Sequence, residues 1–202
     1  MSASFPTSFT RSMIVVAGAA SLAGCGINSI PTAEEQAKAK WADVQAAFQE
    51  RANLYDNLAA IAKGAGANEK GILVGVTEAR AKATSVQVTP GDLSDPAKMK
   101  AFQDAQSQLG AGIGRLMVSV EAYPNIKSND NYLALQSQVE GSENRIRVAI
   151  RDYNEAVRQY NTEIRTFPSV VGAKVIYGSK PLVPYEAVTP GAEKAPSLEG
   201  KL

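Results

Sequence analysis

"RDYNEAVRQYNTEIRTFP", Arg151 to Pro168, is the stretch that decides how the chain is read. Cut every seven residues it becomes RDYNEAV, RQYNTEI, RTFP: an arginine, an aromatic and a Val or Ile return in register, and Asn follows each Tyr. A seven-residue period keeps one stripe of an α-helix against one neighbour. With Ile150, Val157 and Ile164 as a positions, Tyr153, Tyr160 and Phe167 become d positions. Asn154 and Asn161 then flank the seam at e, and Arg151, Arg158 and Arg165 face solvent at b. A tyrosine at d fills the space between helices while its hydroxyl reaches the edge, where the flanking Asn can pair with polar groups of a neighbouring helix. Tyr153, Asn154, Tyr160, Asn161, Arg151 and Arg158 are also the candidate interaction face if that edge meets another protein or a glycan. A catalytic reading has no base, nucleophile or metal cluster to accompany the tyrosines.

Working outward, the same 3/4 spacing recurs. Ile146 and Ile150 extend the stripe upstream, and Tyr132, Leu135 and Val139 open it after a cap at Asn129 or Asp130. Gly141-Ser142 is a candidate kink. Asn129 to Phe167 as one helix would measure roughly 58 Å. Before it, Phe102, Gln106, Leu109, Ile113, Leu116, Val120 and Tyr123 mark a helix that begins at an Asp95 N-cap with Pro96 in its first turn and stops at Pro124. Gly110, Gly112 and Gly114 each lower its helicity by about 1 kcal/mol relative to Ala, which implies close approach of another helix. Leu73, Val76 and Ala83 belong to a helix beginning at Asn68-Glu69, and Val86 to Asp95 is a loop around Pro90-Gly91. Trp41, Val44, Phe48, Tyr55, Leu58 and Ala62 line the first helix, which starts near a Thr32 cap with Glu35 three residues on. Arg51 breaks its apolar run, and Lys63 to Gly66 ends it. No convincing strand appears. The expected fold is all-α, an elongated antiparallel bundle of three to five helices over residues 32–168, with a packed extension over 169–188 and a disordered tail over 189–202.

Composition narrows the chemistry. The 202 residues suffice for one ordinary domain or two small ones, with 45% hydrophobic but only 6% aromatic residues. No histidine is present, which removes the usual neutral-pH base and the commonest metal ligand. Glu121, Glu143 and Asp152 are helix carboxylates, but bundle metal sites of the carboxylate type normally include a Glu-x-x-His pair. The three glycines follow no strand and precede no P-loop lysine. Lys98 and Lys100 read as solvated charges. With 21 basic and 20 acidic residues there is no basic stripe for nucleic acid. No metal, no cofactor, no catalytic residue and no nucleic-acid partner are expected.

The first residues look like an address. Met13 to Ala20 is an apolar run too short to span a bilayer, and Leu22-Ala23-Gly24-Cys25 resembles a bacterial lipobox. That resemblance implies a signal peptide over 1–24, diacylglyceryl modification of Cys25, and a lipidated tether over 25–31. It explains why the only cysteine stands there. Cleavage would remove Arg11 and no acid, leaving the charges balanced. Two or more acyl chains hold a protein stably where one does so marginally. Gly26 after the cysteine fits export to an outer membrane, facing the periplasm, in a host with two membranes.

Glu121 to Ser169 resembles the core of the LemA family of bacterial envelope proteins. The matching residues are Glu121-Ala122-Tyr123-Pro124, Lys127, Asn129, Leu135-Gln136, Glu143-Asn144, Ile146, both Tyr-Asn pairs and Phe167-Pro168. Upstream, Trp41, Arg51, Leu54, Asn57-Leu58, Lys63-Gly64, Glu69 and Ala79-Arg80 also match, so the likeness runs from about Trp41 to Glu186. Glu50-Arg51 stands where the family usually has an Arg pair, and Tyr55-Asp56-Asn57-Leu58 where it has Ile-Pro-Asn-Leu. Many members begin with a retained transmembrane helix, replaced here by the expected lipid. The resemblance implies a long antiparallel helical fold at a membrane and supplies no enzymatic residues. The expected function is that of a lipid-anchored, non-enzymatic envelope scaffold or adaptor, acting through a protein partner or self-association. The alternatives are a module binding peptidoglycan or a small ligand, and an accessory subunit of a membrane protease or phosphatase.

Overall fold

A computed structural model describes residues 28–64, 70–123 and 130–186. Cys25, the helix start at Asn68-Glu69, Pro124, Asn129 and the tail from Thr189 lie outside the described residues. Helix α1 covers Ser29–Gly64, α2 Lys70–Ser85, α3 Pro96–Glu121 and α4 Asp130–Glu163. A short α5, Ser169–Gly172, continues as a π-helical turn over Ala173–Tyr177 and closes on Gly178, whose φ of 58° suits a residue without a side chain. No strand occurs among the described residues, so the fold is all-α as expected.

The helix ends follow local chemistry. Asp95 Oδ1 accepts from the amides of Ala97 at 2.9 Å and Lys98 at 3.2 Å, with Pro96 in the first turn, as the sequence indicates. The start of α1 differs. It begins at Ser29, with Pro31 inside the first turn, where a missing N–H leaves nothing unpaired. Thr32 does not cap it; its hydroxyl turns back to the Asn28 carbonyl at 2.9 Å. Gly141-Ser142 does not interrupt α4, and the Ser142 hydroxyl is absorbed by the Val139 carbonyl at 2.8 Å.

The described chain divides into two compact units, residues 28–45 with 147–184, and residues 46–146 with 185–186. In the first, α1 and α4 run antiparallel. Ser29 hydrogen-bonds Glu163, and further along α1 the Trp41 ring lies 5.1 Å from that of Tyr153 at 56°. Ile30, Ala37, Trp41 and Val44 are buried, as are Tyr153, Val157 and Tyr160 on α4 and Ile164 just after it. Phe167 breaks the expected heptad. It is 84% exposed, because α4 stops at Glu163 and Pro168 disfavours helical backbone at the residue before it.

The second unit packs three antiparallel pairings. Between α1 and α2, the Tyr55 hydroxyl lies 3.2 Å from the Leu73 carbonyl and 2.7 Å from Thr77 Oγ1. Arg80 Nε donates to the Ala52 carbonyl at 3.1 Å, and its Nη2 reaches Asp56 at 2.8 Å. Between α2 and α3, Gln106 Nε2 donates to the Ala83 carbonyl at 3.1 Å. A Cβ on Gly112 would stand 3.0 Å from Val76 Cγ2, and one on Gly110 3.0 Å from Arg51 Nη1. These two glycines therefore mark the expected close approach, whereas Gly114 faces open space. Between α1 and α4, Arg145 forms a two-pronged bond to Glu50 at 2.6 and 2.8 Å. The core joins Tyr55, Leu58, Leu73, Val76, Leu109, Ile113, Leu116, Val120, Tyr132, Leu135 and Val139, every one a residue of the sequence stripes. The loop before α3 is pinned by buried Val88 and Leu93 around a 3-10 turn over Pro90–Asp92.

Candidate functional site

The Tyr-Asn heptad sits on the second half of α4, and its polar atoms are directed at the chain's own C-terminal segment. Tyr153 is fully buried, and its hydroxyl donates to the Val183 carbonyl at 2.8 Å. Asn161 makes two bonds to the adjoining residue. Its Nδ2 donates to the Leu182 carbonyl at 2.8 Å, and its Oδ1 accepts from the Leu182 amide at 2.8 Å. Residues 178–186 have no regular secondary structure, so their backbone groups need partners from elsewhere. A side-chain amide can serve one donor and one acceptor at once, which is why Asn suits position 161. Tyr160 is buried beside Ser179. Burial pushes both tyrosine hydroxyls above their ordinary pKa, Tyr153 strongly.

Each repeat thus reaches the segment's backbone, the first through Tyr153 and the second through Asn161. The sequence leaves the partner of the Asn edge open between a neighbouring helix and something outside the bundle; Asn161 pairs with the chain's own extension. The two arginines of the predicted face point to solvent. Arg151 is exposed and pairs with Asp152 at 3.1 Å, and Arg158 is exposed and pairs with Glu155. Asn154 is half-buried at an open groove of about 490 Å³ that it shares with Val157, Arg158, Asn161, Arg165 and Pro184. Near the start of α1, Ser29 and Ser169 both donate to Glu163 Oε1, and these hydroxyls hold its carboxyl below the usual range.

The second unit contains a polar hub that the sequence reading missed. Arg51 is only 5% exposed. Its Nη2 donates to the Gln106 carbonyl at 2.6 Å and to Gln106 Oε1 at 3.1 Å, and its Nη1 pairs with Glu143 at 3.2 Å. The guanidinium also lies 4.9 Å from the Phe48 ring centre, which in turn meets Phe102 at 5.5 Å and Tyr185 at 5.8 Å. Burial pushes the Tyr185 hydroxyl up to about 12. The signal was present: Arg51 lies three residues after Phe48 and four before Tyr55, on the buried stripe itself, so it is a member of that stripe and not a break in it.

Glu121, Glu143 and Asp152 do not converge. Glu143 faces Arg51, Asp152 faces Arg151, and Glu121 stands at the end of α3 beside Tyr132. Among the described residues no three His, Cys, Asp or Glu side chains gather as a metal would require, and no helix is long and apolar enough to cross a membrane. Lys98 and Lys100 are exposed and pair with Asp92 and Asp104.

This is an antiparallel α-helical protein whose motif-bearing helix clasps its own C-terminal segment. It belongs to the LemA family: residues 40–199 match the family model of that description. Among curated relatives, Magnetosome protein MamQ 2 of Paramagnetospirillum magneticum is 30% identical over 159 residues, covering 70% of this chain and 58% of its own. Magnetosome protein MamQ of Magnetospirillum gryphiswaldense is 28% identical over 159 residues with the same coverage. Protein LemA of Metamycoplasma hominis is 29% identical over 92 residues, 46% of this chain and 38% of its own. The chain spans 58% of the length of the MamQ proteins it matches.

Proposed function

We propose that this LemA-family protein is a lipid-anchored, non-enzymatic scaffold or adaptor of the bacterial cell envelope. The carrying observation is the use made of the Tyr-Asn repeat. The Tyr153 hydroxyl and both polar atoms of Asn161 are engaged with the backbone of residues 182 and 183, so the most distinctive polar pattern of the chain serves its architecture. The MamQ relatives are named for a cellular structure and not for a reaction, which agrees with that role. Anchorage rests on the lipobox-like Leu22-Ala23-Gly24-Cys25, and Gly26 directs the anchored protein to the periplasmic face of an outer membrane where two membranes exist. Mass spectrometry of the membrane fraction tests the anchor: an N-terminal, acylated Cys25 is expected. An unmodified Cys25 in a protein that washes off membranes would overturn it. Crosslinking in cells tests the adaptor role, which requires a recurrent protein partner or a second copy.

A second reading is favoured by the open groove beside Asn154, Arg158 and Arg165. It would take a peptidoglycan fragment or a small anionic ligand at the guanidinium groups of Arg158 and Arg165. Arg158→Ala with Arg165→Ala should then abolish binding to purified peptidoglycan while the melting temperature barely moves, since both side chains are exposed. Unchanged binding by the double variant removes this reading.

A further inference from the structure

We propose that the segment from Ile164 to Lys180 is a second membrane contact, seated in an anionic lipid surface beside the anchored N-terminus. Its pattern of burial is inverted. In α5 and the turn after it the small residues Ser169, Gly172 and Ala173 are buried, while Val171, Val175, Ile176 and Tyr177 are 55%, 78%, 59% and 44% exposed. Phe167, just upstream, is exposed as well. The other exposed large hydrophobics, Val74, Val118, Leu133 and Val148, are scattered singly over α2, α3 and α4, as on any soluble surface. Five within eleven consecutive residues are of the kind that marks an interaction surface.

Two observations select lipid as the occupant. From Ile164 to Tyr185 the chain carries Arg165, Lys174 and Lys180 and no acidic residue, although the whole chain is nearly neutral. All three cations are exposed. Exposed apolar side chains interspersed along the segment with long cationic ones suit an interface in which the former enter the acyl boundary and the latter reach headgroup phosphates. The second observation is tethering. Ser29 and Ser169 meet on one oxygen of Glu163, so the start of α1 and the start of α5 lie together. Four residue steps separate Ser29 from Cys25, which places Cys25 within about 14 Å of Ser29 even fully extended. An acylated Cys25 therefore holds the apolar segment near the bilayer, where little further ordering is needed to insert it. This last step rests on the anchor proposed above; the apolar and cationic pattern does not.

The test places a fluorescent reporter of polarity (NBD) at Ile176→Cys in the full chain, whose native thiol is occupied when acylated, in vesicles of phosphatidylethanolamine and phosphatidylglycerol. A reporter at Ser107→Cys, exposed on α3, is the comparison. The expected result is a blue-shifted emission at position 176 and iodide quenching slowed several-fold relative to position 107. Equal quenching at the two positions overturns the proposal. If mass spectrometry finds Cys25 unmodified, the anchor fails separately. The Cys25→Ser chain labelled at 176 is then offered the same vesicles, and protection upholds the lipid contact while its absence overturns it. Protection of that chain in buffer without vesicles assigns the patch to another copy or to the chain's own N-terminal residues, and also overturns the proposal.

Discussion

The two units solve one problem with opposite chemistry. In each, polar side chains tie elements together: α4 to the extended segment in the first unit, and α1 to α3 and α4 in the second. In the first unit the groups are neutral: the Tyr153 hydroxyl and the Asn161 amide meet the backbone of residues 182 and 183. In the second the group is a buried guanidinium, shared among the Gln106 carbonyl, the Gln106 side chain, Glu143 and the Phe48 ring. A neutral hydrogen bond at a half-open edge contributes about 1 kcal/mol, because water can replace either partner. A buried cation must keep its partners, since removing them leaves a charge without solvent. The first unit should therefore tolerate loss of its polar contacts better than loss of its aromatics, and the second should be sensitive at Arg51.

The largest effect is expected from the aromatic pair of the first unit. Trp41→Ala should cost about 3–5 kcal/mol in urea unfolding, since Trp41 is fully buried against Tyr153. A loss below 1 kcal/mol would show that this unit is not held by its core. Next comes the hub. Arg51→Ala should cost about 1–3 kcal/mol by taking the cation away from Gln106 Oε1 and Glu143 and emptying its buried place. Glu143→Gln should cost less than about 1 kcal/mol, because Glu143 is itself 43% exposed and solvent screens the pair. Equal losses at the two positions would place the hub's stability in the ion pair and not in the buried guanidinium.

Asn161→Ala should cost about 1 kcal/mol and speed amide exchange at Leu182. Exchange at Leu182 that does not change would mean that the clasp is held elsewhere. The glycines of α3 supply a finer comparison. Gly114→Ala meets open space and should stabilise by about 1 kcal/mol through helix propensity. Gly112→Ala should forfeit that gain, because its Cβ would press on Val76 at 3.0 Å. Smallest is the alkaline limb. Burial raises the Tyr185 pKa to about 12, so its neutral form is favoured in the fold. That contribution is fully present below the unfolded value of about 10 and is lost as pH rises from there through the folded value. Tyr185→Phe should flatten the decline in melting temperature between about pH 10 and 12.

Much of the fold was legible because amphipathic helices write their buried face into residue spacing. The stripes through Trp41, Leu73, Phe102 and Tyr132 are buried except at Tyr123 and Ile150, which are half-buried, and the Asp95-Pro96 start is where the local chemistry puts it. The candidate site was legible only in part. The heptad located Tyr153 and Tyr160 in the interior but extended too far, to Phe167, because a period carries no information about where the helix ends, which is at Glu163. It also could not name the partner of Asn161. That partner is a backbone segment some twenty residues on, and backbone groups leave no mark in side-chain order.

By itself, the amino-acid sequence determined the class, the approximate placement of the long helices, the family, and a composition without histidine. These are set by local spacing, capping and residue type, which act within a few turns of chain. Only the tertiary structure decided that Arg51 is an interior residue, that Asn161 clasps Leu182, and that α5 turns its small residues inward and its large ones out. Each of those depends on which surfaces meet across long separations in the chain, and the free energy of a polar or apolar side chain is settled by what covers it.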